Sequence, residues 1–193
     1  MFEHIKGSVI NLSPAGIVIE AGDIGYFIRI SLTTYSQLHG SEKAKLFLHQ
    51  VVREDAHLLY GFYEETEREL FRMLISVNGI GANTAIMMLS SHKPEELHNA
   101  IRNENVGLLK NIKGIGIKTA QRVIIDLKDK IGKLPAGDLL FRSVDNPVRA
   151  EAVAALEMLG FNKKAVEKLV DQVLTEQPAI AVENLIKLAL KSF

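Results

Sequence analysis

Two short segments carry residues arranged to grip a phosphate. Residues 74–85 read LISVNGIGANTA, and residues 108–120 read LLKNIKGIGIKTA. Superposing Gly79-Ile80-Gly81 on Gly114-Ile115-Gly116 gives an offset of 35 residues, which also places Thr84-Ala85 on Thr119-Ala120 and Val77 on Ile112. The glycines permit positive φ and a close backbone approach. A helix that starts just after Gly81 or Gly116 presents amide N–H groups with no partner inside the helix, at the positive end of its dipole. Such a terminus binds phosphate through backbone donors and reads no base. Ile80 and Ile115 are expected to point inward and pin each turn to its two helices. Lys118 and Arg122 lie four apart on one helical face, so both can reach the same sugar–phosphate chain. The first copy has Asn83 where the second has Lys118, so its grip is expected to rest on amides together with Asn83 and Thr84; in the second copy Thr119 stands in the matching place.

A glycine–apolar–glycine turn between helices, present twice, resembles the helix–hairpin–helix DNA-binding motif, and a doubled copy is far more specific than a single one. Other chemistries lack their residues. Gly116-Ile117-Lys118-Thr119 has isoleucine where a nucleotide-binding P-loop needs glycine before its lysine, and no strand pattern precedes it. Gly79 and Gly81 follow a helical pattern, which excludes a dinucleotide fingerprint. Cysteine is absent and the six histidines are scattered, so no metal site, cofactor site or catalytic set is expected. The runner-up reading is a helix–hairpin–helix glycosylase or lyase, which needs a catalytic aspartate beyond the hairpin and a base pocket. Asp126 and Asp129 lie there but fit a solvated helix face, and no tryptophan is present for stacking. A single-strand binder built on the N-terminal segment would need a basic and aromatic stripe that is not evident there.

The elements that hold these turns fall into three segments. Residues 1–63 read as about five short strands: Val18-Ile19, Tyr26 to Ile30 and Leu46 to Leu48 are separated by turn signals at Ser13 to Gly16, Gly22-Asp23 and His39 to Ser41. That spacing suggests a small barrel of the oligonucleotide-binding (OB) type. From Glu64 the period becomes helical, with Leu70, Phe71, Leu74 and Ile75 on one face and an acidic first turn, and residues 64–133 form the tandem hairpin segment. Residues 134–146 read as a linker in which Leu139, Leu140 and Phe141 have an apolar surface to dock. Residues 147–193 read as three helices: Pro147 starts the first, Gly160 stops it, Asn162 caps the second, and Pro178 breaks the chain before the third. Val153, Leu156, Leu159, Ala165, Val166, Leu169, Val182, Leu185, Ile186 and Leu190 mark their inward faces. The fold class is therefore α+β.

Charge is consistent with the hairpin reading. The chain has 23 basic and 23 acidic residues and no formal net charge. Residues 105–133 nevertheless hold seven basic residues, Lys110, Lys113, Lys118, Arg122, Lys128, Lys130 and Lys133, against Asp126 and Asp129, a net charge of +5. A local basic face governs phosphate binding more than total charge does. The N-terminus lacks a signal-peptide pattern and no stretch approaches the roughly 18 apolar residues of a membrane span. A cytoplasmic, membrane-free location is expected.

Beyond the hairpins, the chain resembles the RuvA family, the Holliday-junction-binding subunits of bacterial branch-migration complexes. The resemblance rests on Ile5-Lys6-Gly7, on Val51-Val52-Arg53-Glu54-Asp55 followed by Leu58-Leu59-Tyr60-Gly61-Phe62, on both hairpins, and on Ala152 to Leu156 leading to Leu159-Gly160-Phe161. It implies an OB barrel, a double helix–hairpin–helix domain and a C-terminal three-helix domain. It also implies a homotetramer, doubled to an octamer on some DNA, that holds a four-way junction open for the hexameric ATPase RuvB, with the junction endonuclease RuvC as a further partner. Glu54 and Asp55 match the family's acidic pin at the junction centre; without the resemblance they read as an ordinary acidic turn. The C-terminal domain would engage the ATPase, with Leu156, Leu159 and Phe161 as candidate contact residues. In such a complex this chain supplies junction recognition and no ATP hydrolysis.

Overall fold

Apolar residues alternate along the N-terminal segment with a period of two. In the computed structural model, which describes residues 2–131, 147–177 and 180–192, that alternation becomes the inside of a barrel. The strands are β1 (His4–Ser13), β2 (Gly16–Ala21), β3 (Ile24–Ile30), β4 (Lys43–Val52) and β5 (His57–Phe62). They close in the order β1-β2-β3-β5-β4, with β3 and β5 parallel and the other neighbours antiparallel. Ile17, Ile19, Ile28, Ile30, Leu46 and Leu48 fill the interior. β1 pairs with β4 through its first half and with β2 through its second, bending at a bulge between Val9 and Asn11. Gly7 sits where the strands approach too closely for a side chain: an added Cβ would stand 2.0 Å from the Glu20 carbonyl oxygen.

The expectation of strands alone in residues 1–63 needs one correction. A helix, α1 (Leu32–Leu38), joins β3 to β4. Ser31 caps it by accepting the Thr34 N–H at 3.0 Å, and Leu38 plugs the barrel core. The helix forms because tertiary burial of Thr34 and Leu38 outweighs the weak helical preference of Thr33-Thr34-Tyr35.

Five helices follow: α2 (Glu65–Ile75), α3 (Ala82–Ser91), α4 (Pro94–Arg102), α5 (Val106–Lys110) and α6 (Ile117–Ile131). Leu70, Phe71 and Leu74 of α2 are buried, as their spacing predicted. Their core is shared with the barrel. The Phe71 ring packs 5.2 Å from Tyr60 and 4.9 Å from Phe62, both on β5, and burying such a ring contributes about 2–3 kcal/mol. A polar clasp lies beside this core. The hydroxyls of Ser31 and Thr34 both donate to the buried Glu67 carboxylate of α2, the second at 2.7 Å, and Thr34 Oγ1 accepts the Tyr63 N–H at 3.0 Å. Burial raises the Glu67 pKa above its ordinary value, against the two hydroxyl bonds. Arg68, next in sequence, is equally buried and pairs with Glu3 and Glu65. Barrel and hairpin helices thus belong to one compact unit.

The second unit holds α7 (Pro147–Met158), α8 (Lys163–Glu176) and α9 (Val182–Ser192). Gly160, at φ +94°, ends α7 with paired bonds from the Phe161 N–H to the Leu156 carbonyl (3.2 Å) and from its own N–H to Glu157 (3.0 Å). Asn162 caps α8 by accepting the Lys164 N–H at 3.1 Å. The core is Ala152, Val153, Leu156, Val166, Val170, Leu174, Leu185 and Ala189. Three expected inward residues face out instead: Leu159, Ala165 and Leu190 are exposed, and Val170, Leu174 and Ala189 take the buried rows. The 134–146 segment and its apolar trio, together with Lys133 and Pro178, lie outside the described residues.

Candidate nucleic-acid interface

Each hairpin is built from the same four backbone bonds. In the first, the N–H groups of Ser76, Val77, Ile80 and Ala85 donate to the carbonyls of Met73, Leu74, Val77 and Gly81 at 2.9–3.1 Å. In the second, those of Asn111, Ile112, Ile115 and Ala120 donate to Leu108, Leu109, Ile112 and Gly116 at 2.9–3.3 Å. The 35-residue repeat therefore holds in hydrogen bonding as well as in letters. Gly79 and Gly114 adopt φ of +95° and +89°, which a side chain would strain. Ile80 and Ile115 are buried, as expected for the pinning residues, and the aligned Val77 and Ile112 are buried as well. Gly81 and Gly116 are exposed, and an ideal Cβ on either would meet no atom within 4 Å. The first amides of α3 and α6 open beside this bare backbone, without intrahelical acceptors.

The two turns lie together. Arg122 of α6 donates from Nη1 to the carbonyl of Asn78 in the first hairpin, at 3.4 Å. Lys118 and Arg122 are both exposed, as are Lys110 and Lys113, while Thr84 and Thr119 are half-buried at matching places. Among the described residues none of these cations is in an ion pair. Lys128 differs: it pairs with Glu104, which holds its ammonium above the usual range. Asn83 is exposed, yet its Oδ1 accepts from Arg29 Nη1 and from the Tyr60 hydroxyl, each at 3.2 Å. Neither barrel residue was singled out as a ligand-side group from sequence. They stand 54 and 23 residues from Asn83, so no local pattern pointed to them.

Glu54 and Asp55 form the exposed tip between β4 and β5, in a turn closed by the Arg53 N–H donating to the Ala56 carbonyl at 2.8 Å. The C-terminal candidates separate. Leu156 is fully buried in the three-helix core, which corrects its assignment as a contact residue, because a side chain without surface cannot meet a partner. Leu159 is 61% exposed and stands beside Met158 at 89%, and Phe161 packs partly on the core. Asp126 and Asp129, which a lyase would need, are exposed on α6. His98 is a core histidine whose Nε2 donates to the Ile131 carbonyl at 2.9 Å. Among the described residues no cluster of His, Asp and Glu could hold a metal, and no helix is long and apolar enough to cross a membrane.

Comparison with known proteins agrees with this geometry segment by segment. Residues 1–61 match the family model of the RuvA N-terminal domain, residues 71–129 the SAM-like helix-hairpin-helix tandem, and residues 147–192 the RuvA C-terminal domain. The chain is 50% identical over 191 residues to the Holliday junction branch migration complex subunit RuvA of Christiangramia forsetii, covering 99% of each chain. It is 50% identical over 200 residues to that of Bacteroides thetaiotaomicron, again covering 99% of each. It is 48% identical over 192 residues to that of Flavobacterium psychrophilum, covering each completely. Matched from end to end at half its positions, with its barrel, paired hairpins and three-helix unit in the same order, the chain belongs to the RuvA family.

Proposed function

We propose that this chain binds four-way DNA junctions without regard to base sequence and serves as the recognition subunit of a branch-migration complex. The observation that carries the proposal is the pair of equivalent hairpins, tied by the bond from Arg122 to Asn78, with bare glycine backbone at both turns and unpaired cations around the second. Backbone amides, Lys118 and Arg122 bind phosphate and leave the bases unread. Gly79, Ile80, Gly81, Asn83 and Thr84 form one binding surface, and Gly114, Ile115, Gly116, Lys118, Thr119 and Arg122 the other, with the isoleucines acting from beneath. Glu54 and Asp55, projecting from the β4–β5 tip, repel phosphates at the junction centre and favour separated strands. Four copies around a four-fold junction present eight hairpins to its arms. Force comes from a partner ATPase, RuvB, engaged by the C-terminal unit, where Leu159 and the edge of Phe161 offer surface. The chain itself does no bond chemistry.

Gel-shift titration of a synthetic four-way junction against linear duplexes of several sequences tests this reading. Tighter binding to the junction, independent of sequence, is expected. Equal affinity for both forms overturns junction recognition. Native mass measured with and without the junction tests the tetramer: complexes holding one or two copies on a saturated junction contradict it.

A further inference from the structure

The hairpins differ in one chemical respect. The second carries Lys118 in the first turn of its helix, whereas the first carries Asn83, which is neutral. The fold brings a cation to that place from elsewhere. Arg29, on β3, donates from Nη1 to Asn83 Oδ1 at 3.2 Å, across 54 residues of chain. The Tyr60 hydroxyl donates to the same oxygen at 3.2 Å. Held from two sides, the carboxamide oxygen is occupied, and the amide N–H2 of Asn83 is what remains for a ligand.

Two observations point beyond a structural bond. Arg29 is only half-buried, and among the described residues it has no acidic partner, so most of its five N–H donors are unspent. Its position also runs against helix electrostatics. Cations are favoured at helix C-termini, and here a guanidinium sits at an N-terminus beside unpaired amides. Two positive features side by side, with no carboxylate between them, are reconciled by an anion bound to both.

We propose that Arg29 is the phosphate-binding cation of the first hairpin. The barrel supplies it from β3, in place of the lysine that the second hairpin carries on its own helix. Tyr60 is a positioning residue: it fixes the Asn83 carboxamide that in turn fixes the guanidinium. The inference rests on the DNA-binding reading above and deepens it, since it makes the barrel a part of the hairpin's grip.

The test measures affinity of the full chain for a synthetic four-way junction by fluorescence anisotropy at several salt concentrations, with Lys118→Ala as the reference. Arg29→Gln is expected to weaken binding about tenfold and to flatten the dependence of log affinity on log salt, by about 0.9 for each phosphate no longer neutralised. Arg29→Lys retains the slope. Asn83→Lys placed on Arg29→Gln returns the charge to the helix and restores both slope and affinity, a rescue that a purely structural role does not give. Tyr60→Phe lowers affinity but keeps the slope, because the charge is intact. If Lys118→Ala flattens the slope and Arg29→Gln does not, the assignment of Arg29 is overturned while the DNA-binding reading stands. If neither substitution alters binding at any salt, that reading falls with it.

Discussion

The guanidinium of Arg122, on the helix that follows the second hairpin, donates to the carbonyl of Asn78 at the tip of the first, 3.4 Å away and 44 residues earlier in the chain. One side chain therefore ties the helix of the second hairpin to the turn of the first. Arg122→Ala is expected to weaken junction binding more than an ordinary surface cation does, because it removes a charge and also a tie between the turns. Junction titrations comparing Arg122→Ala with Lys130→Ala, an exposed lysine near the end of α6, check this. Equal effects would remove the bridging role.

Lys118 makes no ion pair among the described residues and is exposed. Lys118→Ala is expected to reduce affinity uniformly across DNA sequences and to lower the salt slope by about 0.9 per phosphate. A variant that weakens binding to some sequences only would mean that Lys118 reads bases.

The two glycines of the first hairpin have separable jobs. Gly79, at φ +95°, is needed for the turn, so Gly79→Ala costs about 1–2 kcal/mol of stability from backbone strain alone. Gly81, at φ −86°, accepts a methyl group without strain or collision inside the protein. Gly81→Ala should leave the unfolding midpoint nearly unchanged and weaken DNA binding, because the methyl stands where a phosphate must approach. Thermal melts and junction titrations of the same two proteins decide the matter.

Glu54 and Asp55 occupy an exposed tip. Replacing both, Glu54→Gln with Asp55→Asn, removes the negative charge while keeping size. The ratio of junction to linear-duplex affinity is expected to fall, chiefly because the duplex binds better. An unchanged ratio would leave the tip as an ordinary turn.

Glu67 links stability to pH. Burial holds its pKa above the ordinary 4.5, so the folded chain binds this proton more tightly than the unfolded chain does. Its stabilising contribution is complete below about pH 4.5 and is lost as pH rises through the folded value. Glu67→Gln, neutral throughout, should gain on the wild type as pH rises above about 4.5 in denaturant melts. Glu67→Ala, which strands the hydroxyls of Ser31 and Thr34, should cost about 2 kcal/mol or more. A pH-independent difference between wild type and Glu67→Gln would contradict the shift.

The hairpins were legible in the sequence because everything that forms them is local: two glycines, one inward isoleucine and a helix start recur at one spacing. The barrel was legible from short strand runs set between turn signals, but α1 was not, since seven residues containing Thr33, Thr34 and Tyr35 carry no helical signature until Leu38 finds the core. Glu67 looked like one more acid at a helix start, because nothing nearby in the chain announces Ser31 and Thr34 as its donors. The same blindness hid Arg29 from Asn83. In the last unit most inward positions were legible, but Leu159, Ala165 and Leu190 were not: the turn at Gly160 ends α7 early and leaves Leu159 facing out while Leu156 stays inside.

The ring of Phe71, held between Tyr60 and Phe62, joins the strand that leaves the acidic tip to the helix that enters the first hairpin. Through those three rings the acidic tip and the first hairpin share one packed core, so a resized ring at any of the three places is expected to shift one relative to the other.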